Sequence, residues 1–207
     1  MLRDWILKML HRTETARNAQ ARDWFRTINT FFILGMGRSG TNFLADLLGR
    51  CPDTLVYHEP IKEDFPAFVE AHASPAAALR YFADYRLARM QELAQAHDIR
   101  NYGEVNSALR YHAGAIRQVM PAARLVHLVR DGRDVVRSVM ERRHYTAGAA
   151  GHHDLHPLPS DSLYGRWDKL SRFEKVCWLW ADANRRLAED VPRWLAFEQL
   201  VGCLLYT

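Results

Sequence analysis

Arg38 and Ser39 stand among Gly35, Gly37 and Gly40, which interrupt an apolar run in the stretch Phe31 to Leu48, FFILGMGRSGTNFLADLL. Glycines let a chain turn sharply, so that unpaired amides point at one spot, and a guanidinium fork beside them holds two oxygens of a tetrahedral group at once. The chemistry this suits is oxyanion binding, by Gly37, Arg38, Ser39, Gly40, Thr41 and Asn42. A second set lies in RLVHLVRDGRDVVRSVM, Arg124 to Met140, where Arg130 and Ser138 offer one guanidinium and one hydroxyl to a further anion. Glu59, in the YHEP of Tyr57 to Pro60, is a carboxylate at the end of an apolar run. It reads either as a group that faces the anion loop or as a solvated turn residue.

Three kinds of element must position these groups. Phe31 to Leu34 predicts a strand buried on both faces of a parallel sheet, and Leu44, Leu47 and Leu48 recur at helical spacing after the glycines. Strand, turn and helix N-terminus in that order direct free N–H groups and the positive helix end at one place. Gly35 and Gly40 have the separation of a P-loop, but Thr41 and Asn42 fill its Lys and Ser/Thr positions. Leu125 to Val129 predicts a second buried strand, followed by a helix with Val135, Val136, Val139 and Met140 on its apolar face. Arg130 leaves that strand and Ser138 looks back from two turns into the helix. Asp131 suggests a Walker B strand, yet Arg130 before it and the missing loop lysine argue against magnesium chemistry.

Thr54 to His58 predicts another strand, with Glu59 at its carboxyl end, where open parallel sheets bind ligands, and His58 pointing the other way. Ser74 and Pro75 start a helix whose stripe runs to about His97. Tyr102 to Asn106 follows as a strand, with Glu104 and Asn106 candidates for lining the cleft, then a helix from Tyr111 to Met120. Ser171 and Glu174 form a capping-box pattern for a final long helix, and Trp194 to Phe197 gives a last strand. Alternating strands and helices make the fold class α/β, three layers with a central parallel sheet.

Composition narrows the rest. A chain of 207 residues fits one domain that buries roughly two-thirds of its unfolded surface. We read residues 30–207 as that domain, residues 144–167 as a substrate lid or binding loop, and residues 1–29 as a basic amphipathic helical arm. Leu2, Trp5, Ile6, Met9 and Leu10 give the arm one apolar face, either for an anionic membrane surface or for the domain itself. A net charge of +4 is too small to argue for nucleic acid. Cys51, Cys177 and Cys203 have neither disulfide nor zinc spacing, which makes a reducing cytoplasm the expected location. His152, His153, Asp154 and His156 are metal-ligand types but bunched together, and no metal is expected there.

Both anion stretches together resemble the sulfotransferases that use 3′-phosphoadenosine 5′-phosphosulfate (PAPS). GMGRSGTNFLADLL is similar to their 5′-phosphosulfate loop, and LVHLVRDGRDVVRSVM to their 3′-phosphate strand and helix, with Arg130 and Ser138 at that motif's arginine and serine. YHEP and Arg38 are similar to the carbohydrate, tyrosyl-protein and bacterial branches, in which a glutamate after the second strand is the base. Val105, Asn106 and Ser107 stand where cytosolic small-molecule members have Lys-Thr-His, so the resemblance favours Glu59 over a histidine base. It implies a P-loop-like sulfotransferase fold, with PAPS as donor, no metal, and a hydroxyl acceptor that is carbohydrate or glycolipid. It also implies more chain after Glu198 to Leu200, including a basic stretch, so a C-terminal truncation is expected. A P-loop kinase or NTPase and a non-catalytic nucleotide-binding scaffold are the alternatives; the oligomeric state is not legible.

Overall fold

In the computed structural model, residues 16–146, 154–191 and 193–199 are described. The continuous apolar run becomes β1 (Asn29–Gly35), the centre of the sheet. It pairs in parallel with β3 (Asn101–Asn106) on one side and β4 (Arg124–Val129) on the other. β2 (Thr54–His58) adds to β3, and β5 (Trp194–Ala196) to β4, giving the order β2-β3-β1-β4-β5 with every pair parallel. In this register Leu34 lies opposite Asn106 and Gly35 opposite Leu128. The carboxyl ends of the three central strands therefore meet.

Alternation along the strands sends side chains to two helical layers. Ile33, Val105 and Leu128 pack with Leu44 and Ala45 of α2 (Thr41–Leu48) on one face. Phe32, Leu34 and Tyr102 face the other, against α5 (Leu87–Ala94), α6 (Ala113–Val119) and α8 (Arg172–Asp190) through Leu87, Ile116 and Leu187. The protein is thus a three-layer α/β/α fold. Residues 16–25 form helix α1 and bury Ala21 and Phe25 in this second layer, with Phe25 edge-on to Tyr102. The apolar stripe from Leu2 to Leu10 lies outside the described residues. Among the described residues, no helix is long and apolar enough to cross a membrane.

Caps fall where their residue types predict. Ser74 accepts from the Ala77 amide at the start of α4 (Pro75–Tyr81), and Ser171 and Glu174 exchange bonds at the start of α8. The stripe that continues from α4 contains a π-helical turn, Phe82–Arg86, before α5. That turn carries Arg86 inward, and the helix period alone does not reveal it. Arg86 is fully buried and donates to both oxygens of Asp64, the first residue of α3 (Asp64–Ala73), at 2.7 and 2.9 Å, and to both of Glu104. Tyr81, Tyr102 and Asn106 supply further donors to the same carboxylates. Glu104 and Asn106 therefore do not line a cleft; both are fully buried beside Arg86. Their alternation with Val105 reflects a polar cluster between sheet and helices.

Candidate active site

β1 ends in the loop that leads to α2. Its last residue, Gly35, crosses so close to β4 that a Cβ there would sit 2.5 Å from the Leu128 carbonyl oxygen. Gly40 is left-handed at φ 87°, and a Cβ on it would fall 2.1 Å from the Phe197 ring. Both positions need glycine for these reasons. Arg38 adopts φ 74° without being glycine, and Glu59 adopts φ 47°. Left-handed backbone costs a side-chain-bearing residue about 1–2 kcal/mol, and such strain concentrates at functional sites. The two residues expected to do chemistry are both held this way.

Gly40 is the N-cap of α2, no side chain caps that end, and its first turn contains no acidic residue. The positive end of the helix thus faces the loop uncompensated. Ser39 and Thr41 are buried in the turn, whereas Asn42 is exposed. The Thr41 hydroxyl is 2.9 Å from His58 Nε2. This corrects the expectation for His58: β2 stops there, and the left-handed turn at Glu59 leaves both side chains on the loop side.

The two anion stretches touch. Arg38 Nε donates to Ser138 Oγ at 2.9 Å, from α7 (Gly132–Met140), and the Arg38 carbonyl accepts from Arg130 Nη1 at 3.1 Å. Arg130 also lies 3.5 Å from Asp134 Oδ2 and 5.2 Å from the Phe197 ring centroid, with its buried Nε unpartnered among the described residues. Asp131 is turned to scaffold use. It caps α7 by accepting from the Arg133 amide, and bonds to the Arg133 side chain and backbone hold its carboxyl down at about 2. Its own amide donates to Glu198.

Glu59 reaches the loop from the far side. One of its oxygens accepts from both the hydroxyl and the amide of Ser107, the residue after β3. Gly37, Arg38 and Ser107 border a cavity of about 200 Å³, whose apolar walls include Met36, Phe65 and Leu179. Arg110 and His144 complete its polar lining. Ser107 and Arg110 were not singled out by spacing or residue pattern. The available signal was weak: Ser107 directly follows a strand, and Arg110 is one cation in the otherwise apolar run from Ala108 to Tyr111.

Of the loop 144–167, His144 Nδ1 pairs with Asp154 at 2.6 Å and His156 lies 5.4 Å from the Trp167 ring, while His152 and His153 lie outside the described residues. Leu200 and the residues after it also lie outside. The structure brings Gly37 to Asn42, Arg130, Ser138 and Glu59 to the carboxyl edge of β1, β3 and β4. No protein-family model matches the chain, and a search of curated proteins finds no match either.

Proposed function

We propose that the protein is a sulfotransferase that moves a sulfuryl group from PAPS to the hydroxyl of an acceptor. The observation that carries this reading is the direct contact of Arg38 with Ser138 and Arg130, which joins two anion-binding stretches into one site. A donor with a phosphosulfate at the 5′ end and a phosphate at the 3′ position suits two adjoining pockets. Among the described residues, Arg38 has only its Nε engaged, so the rest of its fork can take sulfuryl oxygens. The Ser39 to Asn42 amides and the α2 dipole favour the charge that develops on the departing 5′-phosphate. Arg130 and Ser138 hold the 3′-phosphate and set the donor's register.

Glu59 serves as base. Ser107 fixes one of its carboxylate oxygens, which leaves the other to take the acceptor proton. The acceptor oxygen bonds to sulfur in line as the sulfur–oxygen bond to the 5′-phosphate breaks and its electron pair leaves on that phosphate. Positioning and a fixed positive field do most of the catalysis, as in phosphoryl transfer.

Labelled PAPS with a panel of hydroxyl acceptors tests this. Transfer in the wild type that is lost in Glu59→Gln, with donor affinity kept, supports the base assignment. Unchanged transfer in Glu59→Gln would remove it. Magnesium-dependent ATP turnover would favour the kinase alternative instead.

A further inference from the structure

The cavity beside the loop contains a cation that the transfer chemistry does not use. Arg110 is only 8% exposed, yet no carboxylate lies within ion-pair distance of it among the described residues. Its Nη1 donates to the Ser107 carbonyl at 2.7 Å, its Cζ lies 4.3 Å from the Phe68 ring centroid and 5.0 Å from that of Tyr111, and its buried Nε has no partner among the described residues. The nearby carboxylates are engaged elsewhere. Asp182 is held by His72, Tyr111, Arg185 and Arg186, and Asp154 by His144. A buried guanidinium fixed by a carbonyl and two aromatic faces, at the wall of a cavity, is built to meet an anion.

Where it sits decides which anion. Ser107 is bound on one side by Arg110, through its carbonyl, and binds Glu59 on the other, through its hydroxyl and amide. The group that takes a proton and the group that takes a charge are therefore one residue apart. A volume of about 200 Å³ with Met36, Phe65 and Leu179 in its walls holds roughly one substituted six-membered ring, given that about 150 Å³ accommodates benzene. It does not hold an extended polar oligosaccharide. His144 pairs with Asp154 and Arg38 lies on the sulfuryl side, which leaves Arg110, among the described residues, as the cation facing this volume.

We infer that the acceptor is a compact ring bearing both a hydroxyl and a carboxylate, with the carboxylate bound by Arg110. This rests on the sulfuryl-transfer reading and narrows its acceptor. The hydroxyl oxygen bonds to the sulfur of PAPS and its proton passes to Glu59. The products are the ring sulfate, still carrying its carboxylate, and 3′-phosphoadenosine 5′-phosphate. Arg110 touches the acceptor away from the reacting atoms and sets specificity.

The test uses the full chain with saturating PAPS and compares 3- and 4-hydroxybenzoate with the corresponding neutral hydroxybenzamides. The carboxylates are expected to exceed the amides in kcat/KM by about tenfold or more, mainly through KM, as befits a charge-assisted hydrogen bond. In Arg110→Gln that ratio falls toward one, and Arg110→Lys keeps part of it. A wild-type ratio near one, or a ratio unchanged in Arg110→Gln, overturns the inference. The wild-type ratio is decisive even if a variant fails to fold. Transfer confined to neutral acceptors would keep sulfuryl transfer and remove the anion site. If no acceptor is sulfated, calorimetric titration with the same four compounds separates the two claims. Carboxylate-selective binding that Arg110→Gln abolishes supports the site without the transfer, and equal or absent binding refutes the site.

Discussion

Arg86, in the π-helical turn, and the three arginines of the loops that follow β1, β3 and β4 are handled in opposite ways. Arg86 is fully buried between Asp64 and Glu104, and Tyr81, Tyr102 and Asn106 supply those carboxylates with further donors. Arg38, Arg110 and Arg130 gather at the carboxyl ends of β1, β3 and β4, where they bond to carbonyls, a hydroxyl and aromatic faces. Among the described residues, only Arg130 of the three has a carboxylate within reach, at 3.5 Å. The difference separates scaffold from site. A guanidinium already matched to carboxylates holds elements together, and one matched to neutral acceptors keeps its charge for an incoming anion.

The largest expected effect breaks the scaffold. Arg86→Met strands two buried carboxylates and is expected to cost about 3–5 kcal/mol in urea unfolding, whereas Arg38→Met stays within about 0.5 kcal/mol of the wild type. Equal losses in the two variants would erase the distinction. At the site, Glu59→Gln is expected to lower kcat for sulfuryl transfer by about 10²–10⁴, and Arg38→Met by about 10²–10³. A fall in stability of similar size would instead mark these residues as structural.

A titration sharpens the same contrast. His112 lies beside the Arg86 cluster, fully buried with neither ring nitrogen bonded among the described residues, and burial pushes its pKa down from 6.5 to about 4. The unfolded chain therefore takes up a proton between these values that the folded chain refuses. Stability is expected to fall by roughly 2–3 kcal/mol as pH drops from 6.5 toward 4 and to level off below that. His112→Phe flattens that part of the unfolding profile. A wild-type slope unchanged by the substitution would contradict the assignment. The smallest effect belongs to Ser138→Ala, expected to weaken 3′-phosphoadenosine 5′-phosphate binding several-fold, roughly 1 kcal/mol, by calorimetry.

Legibility in the sequence followed chain distance. The loop and the Arg130–Ser138 pair each lie within one strand, turn and helix, so spacing alone predicted both, and glycine marked the turn. Placing the two stretches in contact required the sheet order, in which β1 lies between β3 and β4. No local pattern states that order. Ser107 and Arg110 acquire their places because β3 neighbours β1. Glu104 alternated as a cleft residue would, and only the π-helical turn that carries Arg86 inward makes it a buried partner. The left-handed backbone at Glu59 was equally hidden, because a non-glycine residue gives no sign of it.

Calorimetric binding of 3′-phosphoadenosine 5′-phosphate, with adenosine 5′-monophosphate as the ligand lacking the 3′-phosphate, tests the joined anion site most directly. Wild-type protein is expected to prefer the 3′-phosphorylated nucleotide by about tenfold or more, and Arg130→Ala to lose that preference. Equal affinity for the two nucleotides in the wild type, or a preference that survives Arg130→Ala, would contradict the account.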